Sequence, residues 1–265
     1  MEIRKAREAD KAPALEFCKK TFSWGDYIAE VWDRWKSTGG LYVCEVDGMV
    51  VGMYHVAFLK NESWLEGMRV HPKHRKKGLG TLMMSHAEAV IKRGTVRLVI
   101  ESENAASFRM VTGMGYNLEE KWRLYSTVPE KRGSGAEIAK DMAQLGGLVM
   151  SSTYADSWRW LPIDNDELQK LVRQGRAVVF SRNARTLAVG IWNKSSDFPD
   201  IFQLGYVNGA QEGVEEIFQF AKNKACEINC QRIQIFVPEG FSLKSTQLEK
   251  RSLFYLMKKE LGKNL

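Results

Sequence analysis

Apolar and polar positions alternate between two rhythms along the first 130 residues. Ile28, Val31, Trp32 and Trp35 fall at i, i+3, i+4 and i+7, so 26–36 is predicted to be a helix with one apolar face. Leu79, Leu82, Met83, His86, Ala87 and Val90 also recur at helical spacing, which predicts a helix to Arg93. Runs 41–46 and 49–59 read as strands joined at Asp47-Gly48, a strong hairpin signal. The run 64–70 is a further strand, closed by Pro72, which has no N–H to give a ladder. Residues 96–100 are apolar and β-branched, as a buried strand requires. Glu2 to Arg7 is a short strand. Asp10 is a candidate cap for a helix with Pro13 in its first turn. Ser102 or Asn104 can cap a helix to about Gly113, and 116–128 holds another strand or two. The order is β, α, α, β, β, β, loop, α, β, α, β. A crossover through the 79–93 helix requires a parallel pair, and the earlier strands form an antiparallel meander. The fold class is therefore α/β (α+β), a mixed central sheet flanked by helices.

The stretch from Met68 to Thr81 carries the clearest chemistry. A strand runs into a basic loop, Lys73 to Lys77, then Gly78-Leu79-Gly80 and a helix. The first turn of a helix has unpaired N–H groups and a partial positive charge, so it attracts anions. Glycines let the backbone approach the anion closely. Arg75, Lys76 and Lys77 add charge, and the loop is predicted to bind a phosphate or pyrophosphate. The bland reading is a solvated basic turn. A dinucleotide fingerprint is missing, because Met83 stands where the third glycine belongs, and no Gly-Lys-Ser/Thr occurs.

From Glu130 the composition loosens, and Lys131-Arg132-Gly133-Ser134-Gly135 reads as a linker. The expected division is 1–128 for the first domain, 129–147 for the linker and 148–265 for a smaller α+β module. In that module 148–154 and 158–161 look extended, and 164–174 is a capped helix. Strands follow at 177–182, 187–193 and 201–207, then a helix at 213–228 and a strand at 232–237. Phe254 and Met257 are placed in a final helix. Helix, three strands, helix, strand repeats the core of the first half. The corresponding loop, Val207 to Gly213, has no basic residues and is not expected to bind a cofactor.

Charge and cysteine usage narrow the partners. The 265 residues carry a net charge of +7, which suits an anionic ligand. Basic residues other than the loop are scattered, so nucleic acid is not expected as the main partner. Cys18, Cys44, Cys226 and Cys230 form no metal-ligand spacing, so reduced thiols and no metal are expected. No signal peptide opens the chain and no run of about 18 apolar residues occurs. A cytoplasmic protein without a membrane partner, monomeric or homodimeric, is expected.

The motifs together resemble the GNAT superfamily of N-acetyltransferases. Its signature, Arg/Gln-x-x-Gly-x-Gly/Ala after a strand ending in Val-x-Pro, is matched by Val70-His71-Pro72 and by Arg75-Lys76-Lys77-Gly78-Leu79-Gly80. Its second landmark, Asn followed by Gly-aromatic, is matched by Asn104 and Gly115-Tyr116. The resemblance covers about residues 1–127, and the second module looks like a degenerate copy. It implies acetyl-CoA as donor, held by the amides of Lys76, Lys77, Gly78, Leu79, Gly80 and Thr81 with the charge of Arg75. The backbone of Met68, Arg69 and Val70 would pair with the pantetheine arm, and Asn104 and Ser107 would lie near the thiol. Direct attack of a primary amine on the thioester is implied, with Glu66 as first-choice base because many family members carry an acidic residue there. Glu101, at the carboxyl end of the next strand, is the second candidate. His55 and His71 are weaker ones. Many relatives place a tyrosine where this chain has Val111, so Tyr54, Tyr125 or water would protonate the thiolate. The acceptor is a small molecule or a peptide. Glu66-x-Met68-Arg69-Val70-x-Pro72 looks like the pattern of some amino-acid acetylators, and Trp24, Trp32, Trp35 and Trp64 are candidate pocket residues, though such spacing is more often core. A non-catalytic acyl-CoA sensor or adaptor is the alternative.

Overall fold

The structure is a computed structural model that describes residues 1–19, 21, 26–60, 62–241 and 248–262. The chain divides into two compact units. One is Met1–Glu119 with the chain from Leu256 onward, and the other is Glu120–Tyr255. The first unit therefore takes back the end of the chain, and the second begins inside a strand.

The first unit contains β1 (Glu2–Lys5), α1 (Lys11–Cys18), α2 (Ile28–Ser37), β2 (Leu41–Val46), β3 (Met49–Phe58), β4 (Glu62–Val70), α3 (Leu79–Ile91), β5 (Gly94–Glu101) and α4 (Ala105–Gly113). The single strand β6 (Asn117–Thr127) leads out of it. Strands β1 to β4 are an antiparallel meander, and β4 meets β5 in parallel across α3. The β2–β3 turn at Asp47-Gly48 has φ of 51° and 78°, the left-handed pair that a tight hairpin needs. The apolar face of α2 buries Ile28, Val31, Trp32 and Trp35 with Phe17, Leu41, Val43 and Met53. Asp10 differs from its expected role. It stands at the head of α1 but its carboxylate makes no bond to that helix, and instead takes two bonds from Arg4, at 2.7 and 2.9 Å, and one from the Arg7 N–H at 2.6 Å.

The second unit contains β7 (Glu137–Ile138), β8 (Thr153–Asp156), β9 (Arg159–Pro162), α5 (Asn165–Arg173), β10 (Ala177–Arg182), β11 (Arg185–Lys194), β12 (Ile201–Gly209), α6 (Gln211–Glu227), β13 (Arg232–Pro238) and the start of β14 (Glu249–Leu261). Its sheet runs β6, β13, β12, β11, β10, β7, with β12–β13 parallel. Residues 137–138, read as linker, pair with β10. The largest departure is the chain end. Phe254 and Met257 lie on β14, a strand and not a helix, and Leu256 and Met257 are fully buried. The sheet order places β14 between β5 and β6. Its last part is tied to the first unit by Lys259–Glu88 at 2.8 Å and by Thr95 Oγ1 to Glu260 at 2.9 Å. The burial of β14 does not alternate, so its strand is set by tertiary pairing and not by a local pattern.

Candidate active site

Strand β4 is shaped by one extra residue. Met53 pairs with Arg69 and His55 with Glu66, so three steps on β4 match two on β3. Gly67 sits in this bulge at φ 64°, and a Cβ there would lie 2.4 Å from the Trp35 ring. Both the left-handed backbone and the indole demand glycine. On its other side β4 pairs with β5 at Glu62–Thr95, Ser63–Val96 and Trp64–Arg97. Beyond those pairs, among the described residues, the two strands part. A gap opens at the carboxyl ends of two parallel strands, the place where open α/β sheets bind ligands. Met68, Arg69 and Val70 present one backbone edge to β3 and the other to this gap.

The basic loop closes the mouth of the gap. The Arg75 guanidinium donates to the Val70 carbonyl at 3.0 Å, folding the loop onto the end of β4. Lys76 has φ 60°, and Gly78 caps α3 at φ 78° with nothing near its missing Cβ. Leu79 is buried and anchors the helix. The Leu82 N–H makes the bond to the Gly78 carbonyl, at 3.0 Å. The N–H groups of Leu79, Gly80 and Thr81 precede it and have no acceptor within the helix. Lys73, Lys76 and Lys77 are exposed. The His71 ring is held below the usual histidine range, first by desolvation and then by the charges of His74, Lys73 and Arg75.

Glu66 is not a solvent-facing carboxylate. Its Oε1 lies 2.7 Å from His55 Nδ1. His55 is 2% exposed and stacks flat on Trp35, with centroids 4.5 Å apart and planes at 3°. His55 Nε2 lies 3.4 Å from Thr38 Oγ1. Tyr27, at the head of α2, packs edge-on to Trp35 and beneath the Arg69 guanidinium, 5.3 Å from its ring. Burial pushes the Tyr27 hydroxyl up to about 12; Arg69 pulls it down, and the Glu66 and Asp26 carboxylates push it up. Arg69 itself grips Asp26 with two bonds, at 2.8 and 3.1 Å. The Arg69 side chain therefore braces the start of α2, which leaves only its backbone for the gap.

The remaining expected residues fall as follows. Glu101 ends β5, and its carbonyl accepts the Asn104 N–H at 2.9 Å in the turn into α4. Asn104 is exposed and caps α4, its Oδ1 accepting the Ser107 N–H at 3.1 Å. Val111 is buried in α4. Tyr116 is buried under Lys259, and desolvation, with the Glu88 carboxylate adding to it, holds its hydroxyl far above the usual tyrosine range. Tyr54 OH is engaged at 2.5 Å by His86 Nδ1 on α3. Its neighbour His55 points to the opposite face, where Glu66 lies. Tyr125 packs in the core of the second unit. Trp32, Trp35 and Trp64 are at most 1% exposed and are core, not pocket lining. Trp24 lies outside the described residues. Tyr27 and Thr38 were not singled out from the sequence, since neither belongs to the apolar stripe of α2. Among the described residues no cluster has the makings of a metal site, and no helix is long and apolar enough to cross a membrane. The four cysteines are unpaired.

Residues 10–116 match the model of the Acetyltransferase (GNAT) family. No curated protein matches the chain. A candidate acetyltransferase from Thermoplasma acidophilum, 16% identical, aligns over 98% of this chain and 100% of its own, with a TM-score of 0.68. A GCN5-related N-acetyltransferase from Sphaerobacter thermophilus, 13% identical, aligns over 98% of this chain and 95% of its own, at 0.61. At such identities the likeness is one of fold, and it extends through both units.

Proposed function

We propose, from the premise that the first unit is a GNAT acetyltransferase domain followed by a second unit of like topology, that the protein transfers the acetyl group of acetyl-CoA directly to a primary amine. The acceptor class is a small molecule, with amino acids first, or a peptide. The observation that carries the reading is the gap between β4 and β5 with the glycine-capped start of α3 at its mouth. The chain's residues fit this donor. The amides of Lys76 to Thr81, with Arg75 and the exposed lysines, suit its pyrophosphate. The backbone of Met68, Arg69 and Val70, on the side away from β3, suits its amide-bearing arm as an added strand. Asn104 and Ser107, at the head of α4, flank the thiol end in this reading.

Chemistry then asks for orientation, one proton removed and one oxyanion stabilised. Glu66 takes the amine's proton, directly or through one water, and Glu101 is the second candidate. The new N–C bond forms as the C–S bond breaks, so no covalent enzyme intermediate is needed. With Val111 buried and without a hydroxyl, the thiolate takes its proton from water. The enzyme so described is cytoplasmic and acts on soluble amines.

Calorimetry tests the donor site. Wild-type protein is expected to bind acetyl-CoA, and Gly80→Glu or Arg75→Glu to abolish binding by setting a carboxylate against the anion. Undiminished affinity in both variants would refute the loop assignment. A thiol-release screen across amino acids, amines and peptides then separates an enzyme from an acyl-CoA sensor, which would bind without releasing CoA.

A further inference from the structure

We infer that His55 is the positioning residue of this active site: its Nδ1–H donates to Glu66 Oε1 and fixes the orientation of the carboxylate that serves as base. The inference rests on the acetyl-transfer reading above and deepens it.

The register brings the two together. His55 on β3 lies directly opposite Glu66 on β4, at the last pair before the bulge. Side chains of a directly opposed pair share one face of the sheet. The contact is short, 2.7 Å, and fits a charge-assisted bond. A carboxylate with a side chain only 11% exposed needs such a donor. The imidazole is itself immobilised from three sides. Trp35 stacks on its plane. Gly40 approaches its far edge so closely that a Cβ there would lie 3.0 Å from Nε2. Thr38 faces the same nitrogen. The Thr38 hydroxyl has one proton, and it goes to the Trp35 carbonyl at 2.9 Å, because the Gly39 N–H bonds instead to Lys36. Thr38 therefore offers Nε2 a lone pair, and the ring meets an acceptor at each nitrogen. A histidine that only filled core volume would need neither.

Among the described residues, Tyr27 at the head of α2 and Arg69 of β4 with its partner Asp26 are ionisable groups near the pair. Arg69 is committed to Asp26, and Tyr27 is a neutral phenol at physiological pH. His55 is in direct contact with Glu66, and its N–H favours the ionised carboxylate. Removing its N–H makes the carboxylate harder to keep as a base, so activity should require a higher pH.

The test measures free CoA released from acetyl-CoA in the presence of a fixed pool of free amino acids, spermidine and tripeptides, from about pH 5.5 to about pH 9. His55→Phe keeps the ring stack and removes the donor. It is expected to lower kcat about tenfold to a hundredfold, with acetyl-CoA affinity by calorimetry within about twofold of wild type. The acid limb of its kcat/KM profile should move to higher pH. His55→Gln, whose amide can donate, should recover part of the rate. If Glu66→Gln is slow while His55→Phe keeps the wild-type limb and loses only melting temperature, His55 is structural and the inference falls alone. If Glu66→Gln turns over like wild type, or if wild type releases no CoA, the base or the transfer reading fails, and the role of His55 fails with it.

Discussion

The two units share a frame and differ in what fills it. In the first, β2, β3, β4, α3 and β5 follow one another; in the second, β10, β11, β12, α6 and β13 do the same. Both third strands gain one residue against their neighbour, after Met53 in one unit and after Ile191 in the other. Both then pair in parallel over only their first few residues. At the first bulge stand Gly67 and Glu66, and at the second stands Gly205. A Cβ on Gly205 would lie 1.9 Å from the Ala155 carbonyl oxygen, so the β8–β9 hairpin lies against β12. The Ser157 N–H donates to Gln203, and Tyr206 OH accepts the Met150 N–H and donates to Leu148. The second unit therefore covers with its own chain the face on which the first presents a carboxylate. Its helix α6 begins without a side-chain cap or a lysine, and Glu212 there is paired with Arg182. Burial preserves a topology, while a site needs a few particular side chains, so the frame outlasts the chemistry.

Deleting the chain from Leu256 should break this comparison most severely. The loss removes a strand from inside the first sheet, with two fully buried side chains, and leaves the loop residues untouched. Circular dichroism should show the first unit unfolded, and calorimetry should show acetyl-CoA binding lost. A variant that still bound the donor would mean that residues 1–119 fold without the returning strand. Next in size is Glu66→Gln, expected to reduce turnover about a hundredfold with donor affinity nearly unchanged, by steady-state kinetics and calorimetry.

The two bulge glycines sharpen the contrast at smaller cost. Gly67→Ala and Gly205→Ala should each destabilise the protein by about 1–3 kcal/mol through overpacking, read by chemical denaturation. Only Gly67→Ala should also slow turnover beyond its effect on stability, because only that bulge aims Glu66. Smallest is a pH effect. The hydrogen bonds from Arg4 hold the Asp10 carboxyl below its usual range. The stabilisation is present above the ordinary aspartate value and is lost as pH falls through the lowered folded one. Asp10→Asn should lose this dependence when unfolding is compared at about pH 7 and about pH 3. Glu130 of the second unit is also held low, by Arg132 and Lys222, but it is exposed and its contribution is screened by solvent.

Much of the first unit was legible because its signals are local. The stripe of α2, the hairpin glycine, Pro72 and the glycines of the loop each act within a few residues. Of the two candidate caps, Ser102 and Asn104, the structure uses Asn104. The β14 strand was misread because Phe254 and Met257 sit three apart, which a helix also allows. Its pairing partners lie more than a hundred residues away in sequence. His55 and Glu66 were each visible, but their contact depends on a register that a single extra residue would shift.

The sequence by itself determined the order of most elements, the glycine-capped basic loop and the lack of basic residues in the corresponding loop of the second unit, since these depend on spacing and residue type along the chain. Only the tertiary structure decided that β4 and β5 part, that the last strand returns to the first unit, and that His55 meets Glu66. Each of these is a pairing between distant segments, and the free energy of such a pairing lies in the partners, not in either segment alone.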